Sequence, residues 1–288
     1  MRNVRNRAET SRPPLRFPAM TQSTPAIRLH RATKVFPDAS GGSFTAMRNV
    51  TLDVAPGEFV TVVGPTGCGK STTLSLVSGL EPASAGAVEV GGVPVTAIPR
   101  NVGYMFQQDA VLPWRTVSDN VGLGLRYRGA SKSDARSRSQ DWIERVGLAG
   151  FEKYYPHQLS GGMRKRVALA QTLITEPEII LMDEPFGALD VQTRELMQAE
   201  LLRLWAGTGA AVVFVTHDLT EAIALADRVV VMTAAPATVK TIVEVDLPRP
   251  RDVDEIRLQP AFLRLYRAVW QSLREEVEIA RQKGASRG

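Results

Sequence analysis

The chain has 288 residues, 44% of them hydrophobic and 23% charged, the composition of a globular protein with a sizeable core. No apolar run approaches the roughly 20 residues needed to cross a bilayer, so any membrane role calls for a partner. The net charge of +5 is concentrated in residues 1–20, where five arginines face Glu9 alone; the near-neutral remainder argues against a nucleic-acid ligand. A single cysteine, Cys68, excludes an internal disulfide framework and a four-thiolate zinc site.

Taken in chain order, residues 1–26 are expected to form a disordered basic tail, with Pro13, Pro14 and Pro18 and no helical apolar period; Met20 is a candidate start. Short alternating segments, Ile27–Leu29 and Val50–Val54, read as antiparallel strands separated by the Gly41-Gly42 turn. Phe59–Val63 is a continuous apolar strand running into glycines, and Lys70–Gly79 has helical character. Similar buried runs return at Ile179–Met182 and Ala211–Val215, as in a parallel sheet covered on both faces. Between them, residues 109–175 form an expected helical subdomain, with Trp142, Ile143, Val146 and Leu148 at helix-like spacing. The main domain is expected over 27–245. An amphipathic extension follows over 246–288, with Phe262, Leu265, Tyr266, Val269, Trp270 and Leu273 on one face packing against the body.

Gly64-Pro65-Thr66-Gly67-Cys68-Gly69-Lys70-Ser71-Thr72 fits Gly-x4-Gly-Lys-Ser/Thr between a strand and a helix. In such a loop, glycines let backbone N–H groups curl around phosphates, and the helix N-terminus adds donors and a positive dipole end. Lys70 is placed to reach the β- and γ-phosphates and the Ser71 hydroxyl to ligate magnesium. The motif implies a nucleotide with Mg2+ and nothing more specific, because GTPases, kinases and helicases share it.

Four downstream features narrow the class. Leu159-Ser160-Gly161-Gly162-Met163 precedes a helix, Asp183-Glu184 ends a buried strand, Gly187-Ala188-Leu189-Asp190 follows, and His217 ends the next strand. Gln107 lies between the phosphate loop and the helical region. In this order the set resembles the ATP-binding subunits of ATP-binding cassette (ABC) transporters over about residues 27–250. The resemblance implies an α/β fold: a P-loop ATPase core with a mostly parallel sheet, an N-terminal antiparallel β subdomain and an inserted α-helical subdomain. It implies ATP and Mg2+ as cofactors, with Asp183, Ser71 and Gln107 at the metal. Glu184 would orient and deprotonate the attacking water, and His217 would contact the γ-phosphate. Phe36, 28 residues before the loop, would stack on adenine, with a core phenylalanine as the competing reading. Ser160, Gly161 and Gly162 would close on the nucleotide of a second copy, with Asp190 at the interface, so one loop and one signature imply a homodimer with two composite sites.

Tyr155–Arg164, Phe106-Gln107-Gln108, Leu112-Pro113-Trp114 and Asp246–Arg251 further resemble the nitrate/sulfonate/taurine import family. That likeness implies permease subunits, a solute-binding protein, and a peripheral location on the cytoplasmic side of the bacterial inner membrane. Trp114 is expected either to line the groove that receives the permease or to anchor the helical subdomain. The alternative, a non-transport soluble ABC ATPase, loses ground. The translation-factor kind carries two cassettes, and the DNA-repair kind needs a long coiled coil where only 89 residues separate Lys70 from Ser160. Met163, Gln171 and Gly187 depart from the commonest residues at their positions; Gly187 is expected to loosen its turn. Cys68, beside a lysine and a helix N-terminus, is expected to have a lowered thiol pKa and to block hydrolysis when alkylated.

Overall fold

The computed structural model describes residues 24–37 and 41–285, so most of the expected tail lies outside the described residues. The chain begins with β1 (Ile27–Pro37), β2 (Ser43–Val54), β3 (Phe59–Val63), α1 (Lys70–Val77), β4 (Ala85–Val90), β5 (Val93–Pro94) and β6 (Val102–Met105). Four helices follow: α2 (Val117–Val121), α3 (Leu123–Tyr127), α4 (Lys132–Arg145) and α5 (Gly161–Leu173). The chain then runs through β7 (Ile179–Asp183), α6 (Val191–Trp205), β8 (Ala211–Val215), α7 (Leu219–Leu225), β9 (Arg228–Met232) and β10 (Val239–Glu244). It finishes with α8 (Val253–Ile256) and α9 (Pro260–Ala285).

Two sheets result. The first is antiparallel in order β2-β1-β4-β5; the second runs β10-β9-β3-β8-β7-β6, parallel except for the edge strand β10. All of β3 and β8 is buried, which is why these strands are apolar throughout rather than alternating. Successive side chains leave opposite faces. Phe59 and Val63 join the core beneath α5, α6 and α7, while Val60 and Val62 join a second core shared with Leu74, Leu76 and the antiparallel sheet. Thr61 is buried in between and donates its hydroxyl to the Ala222 carbonyl (3.2 Å).

The helices α2–α5 lie between β6 and β7, within the stretch where helical periodicity placed a subdomain. The starts of α2, α4 and α5 are marked by Thr116, Ser131 and Ser160, each accepting the backbone N–H of the third helical residue. Ile143, Val146 and Leu148 are buried as their spacing requires, and Trp142 with them.

The last helix packs on α7, β9 and β10 through Phe262, Val269 and Leu273. The buried Glu276 carboxylate accepts the Ala234 N–H (2.9 Å) and pairs with Lys240 (2.9 Å). Tyr266 and Trp270, expected on the packed face, are exposed. At about 100° per residue, Trp270 lies about 80° round from Phe262, beyond the arc the body covers.

Candidate functional site

β3, β8, β7 and β6 are neighbours in the parallel sheet, and the singled-out polar residues follow their C-terminal ends. Ligands of open α/β sheets collect at that edge. After β3 the chain turns through Gly64–Gly69 into α1. A Cβ on Gly64 would lie 2.8 Å from the Cys68 sulfur, so only glycine allows the loop to close this tightly. Gly69 caps α1 at φ +113°, a conformation side chains resist. Pro65 is buried, Thr66 and Gly67 form the exposed bend, and Thr72 is half-buried on the first turn of α1. The Lys70 ammonium folds back across the loop and donates to the carbonyls of Gly64 and Pro65, both at 3.0 Å.

Ser71 donates its hydroxyl to Asp183 Oδ1 (3.0 Å), bringing the end of β7 to the start of α1. Burial pushes the Asp183 carboxyl up, the Ser71 hydrogen bond opposes this, and the neighbouring Glu184 charge adds to the rise. A hydroxyl and a carboxylate in contact form a hard-oxygen donor set that fits Mg2+, which keeps several waters and needs few protein ligands. Ser71 and Asp183 would hold the ion, which would neutralise phosphate charge. Among the described residues no group of three or more His, Cys, Asp or Glu side chains suggests another metal site.

Glu184 has φ +43°, left-handed for a residue with a side chain, and its N–H is held by the Val215 carbonyl (2.9 Å). Such a conformation costs about 1–3 kcal/mol and aims the carboxylate away from the strand direction. Its Oε2 meets His217 Nδ1 at 3.1 Å and accepts from Gln107 Nε2 at 3.3 Å. Three strands thus contribute one residue each to a single polar cluster. One carboxylate beside Ser71 and another between a histidine and an amide can separate metal binding from water activation.

Gln107 is held in turn by Lys165 of α5, whose ammonium donates to the Gln107 carbonyl (3.0 Å) and pairs with Asp109 (2.8 Å). Arg194 of α6 reaches both Asp218 (3.3 Å) and the Leu189 carbonyl (2.9 Å), tying the His217 turn to the Asp190 turn. Neither tie was foreseen from sequence. Asp109 lies two residues from Gln107 and Lys165 five from Ser160, but charges at such spacings also occur on solvated faces.

Ser160 caps α5 by accepting the Met163 N–H (3.2 Å), and Asp190 caps α6 by accepting the Thr193 N–H (3.0 Å). That backbone hydrogen bond also holds the Asp190 carboxyl below its usual range. A Cβ on Gly161 would make only ordinary contact, 3.8 Å from Leu189, whereas one on Gly162 would lie 2.7 Å from Thr193. No hydrogen bond among the described residues joins Ser160–Gly162 to Lys70, Asp183, Glu184 or His217. Phe36 is half-buried on β1, opposite Phe44 on β2, with the Lys34 ammonium 4.8 Å from its ring; neither phenylalanine is in a core cluster. Two residues beyond Phe44, the Ala46 carbonyl abuts Gly69, so this aromatic pair stands near the phosphate loop.

Two local expectations change, for Cys68 and for Trp114 as an anchor. Cys68 is buried, and burial pushes its thiol pKa up despite Lys70, which opposes the rise. The lowering by lysine and helix end is real but smaller than the desolvation. Gly187 is not among the glycines with positive φ, and a Cβ there would meet its nearest atom at 3.5 Å, so a side chain fits at this turn. Trp114 is 71% exposed and anchors nothing. A groove of about 870 Å³ lies between β6, α3 and α5, with Ala110 and the unusual Gln171 in its lining.

A family description, ABC transporter, matches residues 47–187. An uncharacterized ABC transporter ATP-binding protein of Methanocaldococcus jannaschii is 45% identical over 251 residues, spanning 87% of this chain and 92% of the relative. The chain belongs to the ABC transporter ATP-binding proteins. Its activity is therefore ATP hydrolysis coupled to transport. A taurine import ATP-binding protein of Burkholderia pseudomallei is 41% identical across 82% of this chain and 93% of its own length. An aliphatic sulfonates import ATP-binding protein of Bacillus cereus is 39% identical across 78% and 88%. Among solved structures, an ATP-binding cassette described as a dimer in a post-hydrolysis state with ADP and Pi matches at TM-score 0.69. It is 32% identical over 77% of this chain and all of its own.

Proposed function

We propose that this ABC ATPase powers import of a small anionic solute through a separate permease, as a homodimer on the cytoplasmic face of the membrane. The observation that carries the pairing is the separation of functional elements within one chain. Lys70, Ser71, Asp183, Glu184, Gln107 and His217 gather at one sheet edge, while Ser160, Gly161 and Gly162 open α5 without bonding to any of them. A second copy supplies what this cluster lacks, and the dimer of the solved cassette supports that arrangement. In each site Glu184 would take the proton of the attacking water, with Gln107 and His217 fixing its carboxylate, and Lys70 would hold the phosphates.

Among the described residues no helix is long and apolar enough to cross a membrane, so the route for solute must come from another chain. The groove behind Gln107, with Tyr104, Phe106 and Tyr127 in its wall, suits an apolar permease segment. Taurine and aliphatic sulfonates are the leading solutes because import proteins for both are about 40% identical over most of their length, and nitrate follows from the motif likeness. A solute-binding protein would deliver them. Growth of a strain lacking this chain tests the cargo: taurine or alkanesulfonates should fail as sole sulfur source and be rescued by the wild-type chain but not by Glu184→Gln. Unimpaired growth on these and on nitrate would overturn the assignment. Purified Glu184→Gln should shift from monomer to dimer with ATP; failure to do so would overturn the pairing.

A further inference from the structure

A second cavity, of about 760 Å³, lies wholly within the helical insertion, walled by the turn before α2, by α2, α3 and α4, and by residues 150–153. Five cations line it: Arg115, Arg126, Lys132, Arg136 and Lys153. Among the described residues none of the five is in an ion pair. Two acids in the wall offset part of this charge, leaving five cations against two carboxylates, a net +3. Asp119 accepts the Thr116 hydroxyl (3.0 Å), and Glu152 accepts the Gly150 N–H (2.9 Å) and the Gln140 amide (3.2 Å).

We infer that this cavity is a second anion site, separate from the phosphate loop, for a multiply charged phosphate-bearing ligand. The volume is that of a small-molecule site. Arg115 and Arg136 offer planar guanidinium forks that match phosphate oxygens, Arg126 keeps part of its fork although it donates to the Ala130 carbonyl (2.8 Å), and two ammonium groups add point charge. A single carboxylate would leave most of these cations unmatched, whereas a diphosphate or clustered phosphodiester headgroups would engage several. Nothing in this inference depends on the importer reading.

The test uses the full chain with its nucleotide loop saturated by ADP, so that added phosphate cannot report there. Inorganic pyrophosphate is titrated calorimetrically, and vesicles of phosphatidylglycerol with phosphatidylcholine are compared with phosphatidylcholine alone by co-sedimentation. The paired variant Lys132→Glu/Arg136→Glu lies on the exposed face of α4, and ADP affinity serves as the check that it folds. One pyrophosphate per chain, weakened about tenfold or more in the variant, supports a free anion as ligand. Vesicle binding that needs phosphatidylglycerol and is lost in the variant supports a lipid headgroup. Equal binding by wild type and variant, or none by either, overturns the inference. It is also overturned if the variant loses only a co-purifying membrane subunit, because an acidic protein segment would then be the occupant.

Discussion

Glu221 sits on α7 four residues after His217, buried between α6 and α7, with Gln198 donating to its Oε1 (3.0 Å). Burial pushes its carboxyl from the ordinary 4.5 up to about 7, against the opposing hydrogen bonds of Thr216 and Gln198. The folded chain therefore holds a proton on Glu221 between those values that the unfolded chain has released. Stability from this group is fully present below about 4.5 and is lost as pH rises through about 7. At about 1.4 kcal/mol per pH unit the loss amounts to about 3 kcal/mol at pH 8.5. Glu221→Gln removes the charge and leaves an oxygen to accept from Gln198. The variant should exceed wild type by about 3 kcal/mol at pH 8.5, a rise of roughly 6–12 °C in Tm, and by less than about 1 kcal/mol at pH 5. Thermal melts at both pH values measure this. A gap that is the same at both, or a variant less stable at pH 8.5, would refute the reasoning.

Glu184→Gln keeps the shape of the His217–Gln107 cluster but not its basicity, so steady-state phosphate release should fall by about 10²–10⁴-fold with ATP binding retained; a loss below tenfold would assign the base elsewhere. Cys68 should react with alkylating reagents slowly at pH 7.5, and hydrolysis should outlast short exposure to them; rapid modification seen by intact mass would contradict the burial of its thiol. Gly162→Ala should push the first turn of α6 away through Thr193, lowering ATPase activity while leaving ADP affinity within about twofold, by calorimetry. Trp205→Ala should cost about 3–5 kcal/mol in denaturant unfolding, because the indole packs edge-on against Phe59 and donates to the Ala210 carbonyl (2.8 Å).

Much of the chemistry was legible because it is local. A phosphate loop is written in consecutive residues, and Asp183, Glu184 and His217 each end an apolar run that has to be a buried strand. The strand order that makes those ends adjacent is not local, and no pattern along the chain specifies it; the family likeness supplied only a mostly parallel sheet. Where a local rule competed with packing, packing won: Cys68 has the neighbours of an activated thiol but lies under the loop, and Trp270 has the spacing of a core residue but faces outward. Lys165, Asp109 and Arg194 were invisible for a third reason. Each matters only through a partner on another element, and no spacing along one helix encodes that.

The Lys165 tie has a consequence for how a pair of copies would communicate. The helix that begins at Ser160 carries, one turn on, the buried ammonium that grips the Gln107 loop. In the proposed pair, the end of α5 that meets the neighbour's nucleotide and the residue that trims the chain's own carboxylate cluster therefore belong to one rigid rod. The wiring is crossed, so each copy would read its partner's nucleotide and answer at its own. A mixed dimer with Lys165→Met in one copy should lose hydrolysis asymmetrically, and the slower site identifies the direction in which the signal runs.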